Sequence, residues 1–335
     1  MTSTTTRNMN ITTATLAVTF AIGTHVTGLS QPIIPDRFTG LSDASAVEEL
    51  DGGYLAVAGD EDNIIHVYRH GLGSAPVFKL DLADFLGVSR KAKETDLEGA
   101  ARIGSRIYWI TSHGRDSKGK LSPSRHRFFA TTASATNAFA DFQPVGRPYR
   151  ELISDLIRDP RYRRFDLASA AALAPKLSGG LNIEGLAATP EGHLLIGFRN
   201  PIPEGRALIV PLLNPAEVIE GVRPRFGDPI LLDLGWMGIR SITSKDSRYW
   251  IVAGSPTEGG LSRLHVWDGV SPRPEPVRSA SLLGLNPEAI TWHEVAGDER
   301  LFVASDDGSV KIGNTPLKKI KEPSLRHFRA VWLQP

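Results

Sequence analysis

Cysteine is missing from all 335 residues of this chain, which therefore has no disulfide framework, no thiolate metal site and no cysteine nucleophile. That absence is compatible with any compartment. A surplus of charge is missing too. With a net charge of +1 nothing in bulk draws the chain to nucleic acid or to an acidic membrane surface, so neither partner is expected and binding must come from local patches. No apolar run approaches the roughly 20 residues of a membrane span. The Gly-x-Ser-x-Gly elbow, the glycine-rich phosphate loop ending in Gly-Lys-Ser and the His-Glu-x-x-His pair are also lacking. What is present is ordinary globular material, 41% hydrophobic and 22% charged, which excludes disordered and collagen-like chains.

One short phrase recurs. Asp96-Leu97-Glu98-Gly99-Ala100, Asn182-Ile183-Glu184-Gly185-Leu186 and Asn286-Pro287-Glu288-Ala289-Ile290 each set an acidic or amide side chain two residues before a glutamate, at the head of a strand pair. Two weaker copies, Asp43-Ala44-Ser45-Ala46-Val47 and Gly238-Ile239-Arg240-Ser241-Ile242, complete the series. Ser45, Glu98, Glu184, Arg240 and Glu288 thereby hold one equivalent position. Most steps between copies are close to the length of a four-stranded blade. Apolar runs such as Tyr54 to Ala58, Arg106 to Thr111, Leu194 to Phe198, Tyr249 to Ala253 and Leu301 to Ala304, bounded by Gly, Asp and Asn turns, mark antiparallel strands. The chain is expected to be all-β, a β-propeller with five recognisable blades in a single domain over residues 38–335, closed by a strand from His327 to Leu333.

The step from Asp96 to Asn182 is too long for one blade. Residues 148–176 contain helix formers at helical spacing, Leu152, Ile153, Leu156 and Ile157 and then Leu167 to Ala174, and a helical insertion is expected there, with a degenerate sixth blade as the alternative. Arg158, Arg161, Arg163 and Arg164 read most simply as its solvated face. The six tryptophans lie mostly in apolar strand contexts and are expected to pack between blades.

Residues 1–37 form a separate N-terminal segment. Ala14 to Gly23 is apolar enough for the core of a secretion signal, but Thr15 and Thr19 interrupt it and no small-x-small cleavage site follows cleanly. Leu16, Val18, Phe20 and Ile22 also alternate as a half-buried strand does, and a strand closing the ring is the preferred reading. A cytoplasmic location goes with the strand, a secreted or periplasmic one with the signal. A closed ring leaves few sheet edges needing a partner, so a monomer is expected.

Several blocks in fixed order carry a family resemblance: Ser42-Asp43-Ala44-Ser45, Asp60-Glu61-Asp62-Asn63, Ser112-His113-Gly114-Arg115, Asn182 to Leu186, Leu195-Ile196-Gly197-Phe198-Arg199-Asn200-Pro201 and Phe328-Arg329-Ala330-Val331-Trp332. They resemble the bacterial domain of unknown function 3616 family over about residues 38 to 333. The family is similar to propellers with phytase-like esterase domains, so the resemblance implies a propeller and leaves the activity open.

Inner strands line a propeller's channel, so Glu98, Glu184 and Glu288 are expected to face one another near the axis. Like charges at close range raise one another's pKa, and either Arg240 or a divalent cation could relieve them. Asp43, Asp96, Asn182 and Asn286 offer the oxygen ligands a Ca2+ ion takes. The plainer reading is an internal network in which Arg240 pairs with glutamates. Loops after the second strands add His113, a candidate proton shuttle near neutral pH, and Arg115, Arg199 and Asn200, suited to a small anionic ligand. Turn chemistry accounts equally for Asp60 to Asn63 and Asp306 to Gly308. Two functions fit: a metal-assisted hydrolase of phosphate or carboxylate esters, with Glu98, Glu184, Glu288 and His113 in the chemistry, or a non-catalytic binding or interaction propeller.

Overall fold

The computed structural model describes residues 1–2, 34–88, 94–257, 259–278, 282–295 and 297–334. From Asp36 onward the chain folds into five antiparallel four-stranded sheets. Blade 1 holds Ala44–Leu50, Tyr54–Gly59, Ile64–Arg69 and Phe78–Asp81, and blade 2 holds Leu97–Ile103, Arg106–Thr111, Phe128–Thr132 and Pro144–Tyr149. Blade 3 holds Asn182–Ala188, Leu194–Asn200, Ala207–Leu212 and Ile230–Leu232, and blade 4 holds Gly238–Lys245, Arg248–Gly254, Arg263–Trp267 and Glu275–Pro276. Blade 5 is built from both ends of the propeller: Pro287–Val295, Asp298–Ser305 and His327–Leu333 come from the C-terminal part, and Asp36–Thr39 pairs antiparallel with His327–Leu333 as the outermost strand.

The first strands of successive blades pack side by side, and that of blade 5 packs against that of blade 1, so the ring is closed. Each junction between blades has its own hydrophobic cluster. Phe38, Phe302 and Phe328 meet Val47, Leu55 and Tyr68 between blades 5 and 1, and Ile209 and Leu232 meet Ile239, Ile251 and Trp267 between blades 3 and 4. A blade is covered on both faces, so its middle strands read as unbroken apolar runs such as Leu55-Ala56-Val57-Ala58, all fully buried. The core is thus five wedges, and the axis is left to polar groups.

Residues 148–176 do contain the helical insertion: α1 (Leu152–Arg158), a 3-10 turn (Pro160–Phe165) and α2 (Leu167–Ala170). Leu152, Ile153, Leu156, Tyr162, Phe165 and Leu167 extend the wedge between blades 2 and 3. Asp155 and Asp159 pair with Arg158 and Arg161 on the solvent side, and Arg163 and Arg164 are exposed.

One strand expectation moves. The closing strand is Asp36–Thr39, while Leu16 to Ile22 lie outside the described residues. Lys311–Ile312 pairs with Thr315–Pro316 in a small separate hairpin, and His327–Leu333 supplies the third strand of blade 5. No helix among the described residues is long and apolar enough to cross a membrane.

Candidate functional site

All five equivalent residues sit in β-bulges. The register between first and second strands slips between Ala44 and Ala46, Leu97 and Gly99, Ile183 and Gly185, Ile239 and Ser241, and Pro287 and Ala289, leaving Ser45, Glu98, Glu184, Arg240 and Glu288 as the extra residues. A bulge bends its strand and re-aims the unpaired side chain. Five bulges at one level of a closed ring bring these side chains together at one end of the channel. The small residue that follows has a packing reason: a Cβ on Gly185 would lie 2.8 Å from Ile239 Cγ2 of the next inner strand.

One half of the ring is an arginine–carboxylate chain. Glu184 Oε1 accepts from Arg199 Nη1 (2.7 Å) and from Asn182 Nδ2 (2.7 Å), and Glu184 Oε2 lies 3.7 Å from Arg240 Nε. Arg240 also pairs with Glu288 through Nη2 and donates from Nη1 to Asn286 Oδ1 (2.7 Å). Arg199 gives its remaining donors to Ser255 O (2.9 Å) and Thr257 O (3.0 Å). Residues from blades 3, 4 and 5 are joined in this way, with Asn182, Glu184, Arg199, Arg240 and Glu288 buried.

The other half is acidic. Glu98, 7% exposed, has no hydrogen bond or ion pair among the described residues, and burial together with Asp96, Glu184 and Asp60 pushes its carboxyl well above the usual range against the pull of Arg199. Burial likewise pushes Asp60 well upward, aided by a carboxyl-to-carboxyl hydrogen bond with Asp43 that requires a proton, while Asp60 Oδ1 faces no partner. Asp43 accepts from Ser42 Oγ (2.9 Å) and Glu61 N (3.1 Å). Asp96, raised by burial, is braced by Arg125 Nη1 at 2.9 Å, and Arg125 also binds Glu94. Asp306, raised by burial as well, accepts from Gly308 N (2.8 Å) and Asn286 Nδ2 (3.2 Å). Among the described residues no three or more His, Asp or Glu side chains are grouped as metal ligands.

The remaining candidates are elsewhere in their bonding. Arg115 donates to Ala171 O (2.8 Å) and Gly119 O (3.1 Å), and Asn200 Nδ2 donates to Pro175 O (3.0 Å) and Leu177 O (2.7 Å). Both pin the helical insertion. His113 is corrected as a shuttle near neutral pH: it is 1% exposed, and burial with the nearby His126 holds its pKa down to about 3. Its Nδ1 lies 2.8 Å from Thr111 O, which places the proton there. The residues that sequence reasoning missed as axial groups are Arg125, which has no repeat equivalent, and Asp60, whose loop reads as turn chemistry. The turn reading does hold for Asp62, which accepts from Ile64 N at 3.0 Å.

The far halves of the five inner strands line a cavity of about 330 Å³ at the other end of the channel. There Glu48, on blade 1, accepts from Arg102 N of blade 2 (3.1 Å) and Thr291 Oγ1 of blade 5 (3.0 Å), and burial pushes its carboxyl up to about 7 against Glu49 N–H, Thr291 and Arg102. A carboxyl whose folded pKa is raised favours folding below its unfolded value of 4.5, and that contribution is lost as pH rises through about 7. Glu48→Gln is therefore expected to flatten the melting-temperature profile between pH 5 and about 8. Parallel wild-type and variant profiles would contradict this.

No curated protein matches the chain. Among solved structures, the GH43_1 enzyme from Xanthomonas citri complexed with xylose aligns with 13% identity and a TM-score of 0.49, covering 90% of each chain. The major Malassezia sympodialis allergen Mala s 1 aligns with 11% identity and a TM-score of 0.47, covering 90% of this chain and 96% of that one. The propeller assignment rests on the sheet order rather than on these likenesses. The model of the family described as protein of unknown function (DUF3616) matches residues 125–281, which include the Asn182 to Leu186 and Leu195 to Pro201 blocks, and over that stretch the chain is similar to this family.

Proposed function

We propose that the protein is a hydrolase acting at the bulged end of the channel on small esters of phosphoric or carboxylic acids. The observation that carries this reading is Glu98, a buried carboxyl at an axial bulge with no partner among the described residues. A carboxyl kept protonated and left without a partner is suited to protonate a leaving oxygen. Glu184 is its complement. Held as an acceptor by Arg199 and Asn182, it can orient a water and take its proton as the water attacks the ester. Arg240, whose guanidinium lies between Glu184 and Glu288, is the axial cation for the anionic group of a substrate.

The acidic half has the donor chemistry of a hard cation. Asp43, Asp60, Asp96 and Glu98 carry the carboxylate oxygens a Ca2+ ion takes; an ion bound there would have to draw them together, and it would lower the pKa of an attached water. Asn286 is engaged by Arg240 and Asp306, and Asn182 donates to Glu184, so the amides serve the arginine chain. The closed ring fits a protein acting as a monomer.

The arginine chain also supports a second reading, a non-catalytic scaffold in which it locks blades 3, 4 and 5. The test is turnover of p-nitrophenyl phosphate and p-nitrophenyl acetate, with metal content measured before and after chelation and Ca2+ return. Turnover that chelation removes and Ca2+ restores supports the metal-assisted hydrolase. Absence of both turnover and metal supports the scaffold.

A further inference from the structure

Trp236 departs from the expectation that the tryptophans pack between blades. Trp109 and Trp267 are buried, whereas Trp236 is 73% exposed. It lies in the loop between the last strand of blade 3 and the first strand of blade 4, with φ +64. That is a conformation a bulky residue rarely adopts. The facing loop between the second and third strands of blade 3 carries Glu204 and Gly205 at φ +53 and +73. One face of the indole rests on Gly205, where a Cβ would come within 2.8 Å of the ring. The other face is open. Side chains held in unfavourable backbone conformations by their surroundings concentrate at binding sites.

The indole borders a cleft of about 630 Å³ whose polar rim is charge-balanced. Arg206 Nη2 pairs with Glu204 Oε2 at 3.2 Å, and Arg273 Nη2 pairs with Asp233 Oδ2 at 3.1 Å. Asp233 N donates to Pro272 O (2.7 Å), which ties the blade 4 loop into the same wall. Exposed ion pairs of this kind are weak and can open to a ligand. An anion would meet two carboxylates and a cation two guanidinium groups, so the rim selects against either charge. A flat apolar face beside planar groups that donate and accept in pairs suits a neutral ring with an apolar face and a hydroxyl-bearing edge.

We infer that Trp236 is the platform of a carbohydrate-binding site, with a pyranose stacked on the free indole face and its hydroxyls bridging Glu204, Arg206, Asp233 and Arg273. The site is distinct from the axial cluster and does not depend on the proposed reaction there.

Calorimetric titration of the whole protein with glucose, galactose, xylose and their β-linked trisaccharides tests it, with wild type, Trp236→Phe and Trp236→Ala compared. At least one saccharide should bind the wild type with a dissociation constant on the order of millimolar, as expected of a shallow site. Trp236→Ala should weaken it by about tenfold or more, and Trp236→Phe by less. Melting temperatures of the three should agree, because the indole is exposed. Equal affinity in wild type and Trp236→Ala, or no saccharide bound by the wild type, would overturn the inference. So would preferential binding of tetramethylammonium, or dimerisation that Trp236→Ala abolishes, since these assign the indole another occupant.

Discussion

Glu98→Gln is expected to lower ester turnover by about 10²- to 10⁴-fold, the range for loss of a positioned proton donor, without lowering the melting temperature. The two halves of this expectation have one cause. No described residue hydrogen-bonds or pairs with the Glu98 carboxyl, and its neighbours Asp96, Glu184 and Asp60 repel its charged form. Glutamine keeps the shape of the protonated acid and cannot ionise, so the fold loses no partner and gains no buried charge. The acid's proton, however, is no longer available to a leaving group. Turnover and scanning calorimetry on one preparation check both. A variant that melts well below wild type would show that Glu98 has a structural partner.

Arg240→Met should have the opposite profile. It removes the guanidinium that faces Glu184 and Glu288 and anchors Asn286, and leaves two buried carboxylates short of a counter-charge. Breaking a buried pair in this way costs about 3–5 kcal/mol. In a domain of this size that corresponds to a fall in melting temperature on the order of 10 °C. Replacing Arg240 and Glu288 by apolar residues together, with Glu184 kept on Arg199, should recover much of the loss, because desolvation of that pair disappears with it. A single variant within about 2 °C of wild type would mean that water, rather than Arg240, compensates the carboxylates.

The architecture was legible wherever a strand is covered on both faces. Such strands are apolar throughout, and the bulge phrase marks the start of each inner one. The outer strands of blades 2, 3 and 4 were not legible, because Glu275–Pro276 and Ile230–Leu232 are two and three residues long, and Pro144–Tyr149 carries two prolines and a glycine. Edge strands of that kind need no apolar pattern and tolerate proline. Convergence of Glu98, Glu184, Arg240 and Glu288 was legible from spacing, since equivalent positions in a closed repeat must meet. The partition of the ring into a braced half and an acidic half was not. It depends on Arg199 reaching Glu184 from the end of a second strand, and on Arg125 reaching Asp96 from a loop that no repeat encodes. Arg115 and Asn200 illustrate the converse. Their residue types suit an anion, but the helical insertion supplies carbonyls that engage their donors. His113 could not be judged from sequence at all, since its titration is set by burial.

The measurement that bears most directly on Glu98 as the free acid of the site is the melting temperature of wild type and Glu98→Gln across pH 5 to 9. A folded-state pKa raised by burial favours folding at low pH and ceases to as pH rises through it, so the wild type should fall relative to the variant with increasing pH. Glu48, Asp60, Asp96 and Asp306 titrate in both proteins, and their contributions largely cancel in the difference. A gap that widens in favour of Glu98→Gln as pH rises is the predicted result. A constant gap, or one in which the variant loses ground, would mean that the Glu98 carboxylate is paired and that the ring is structural.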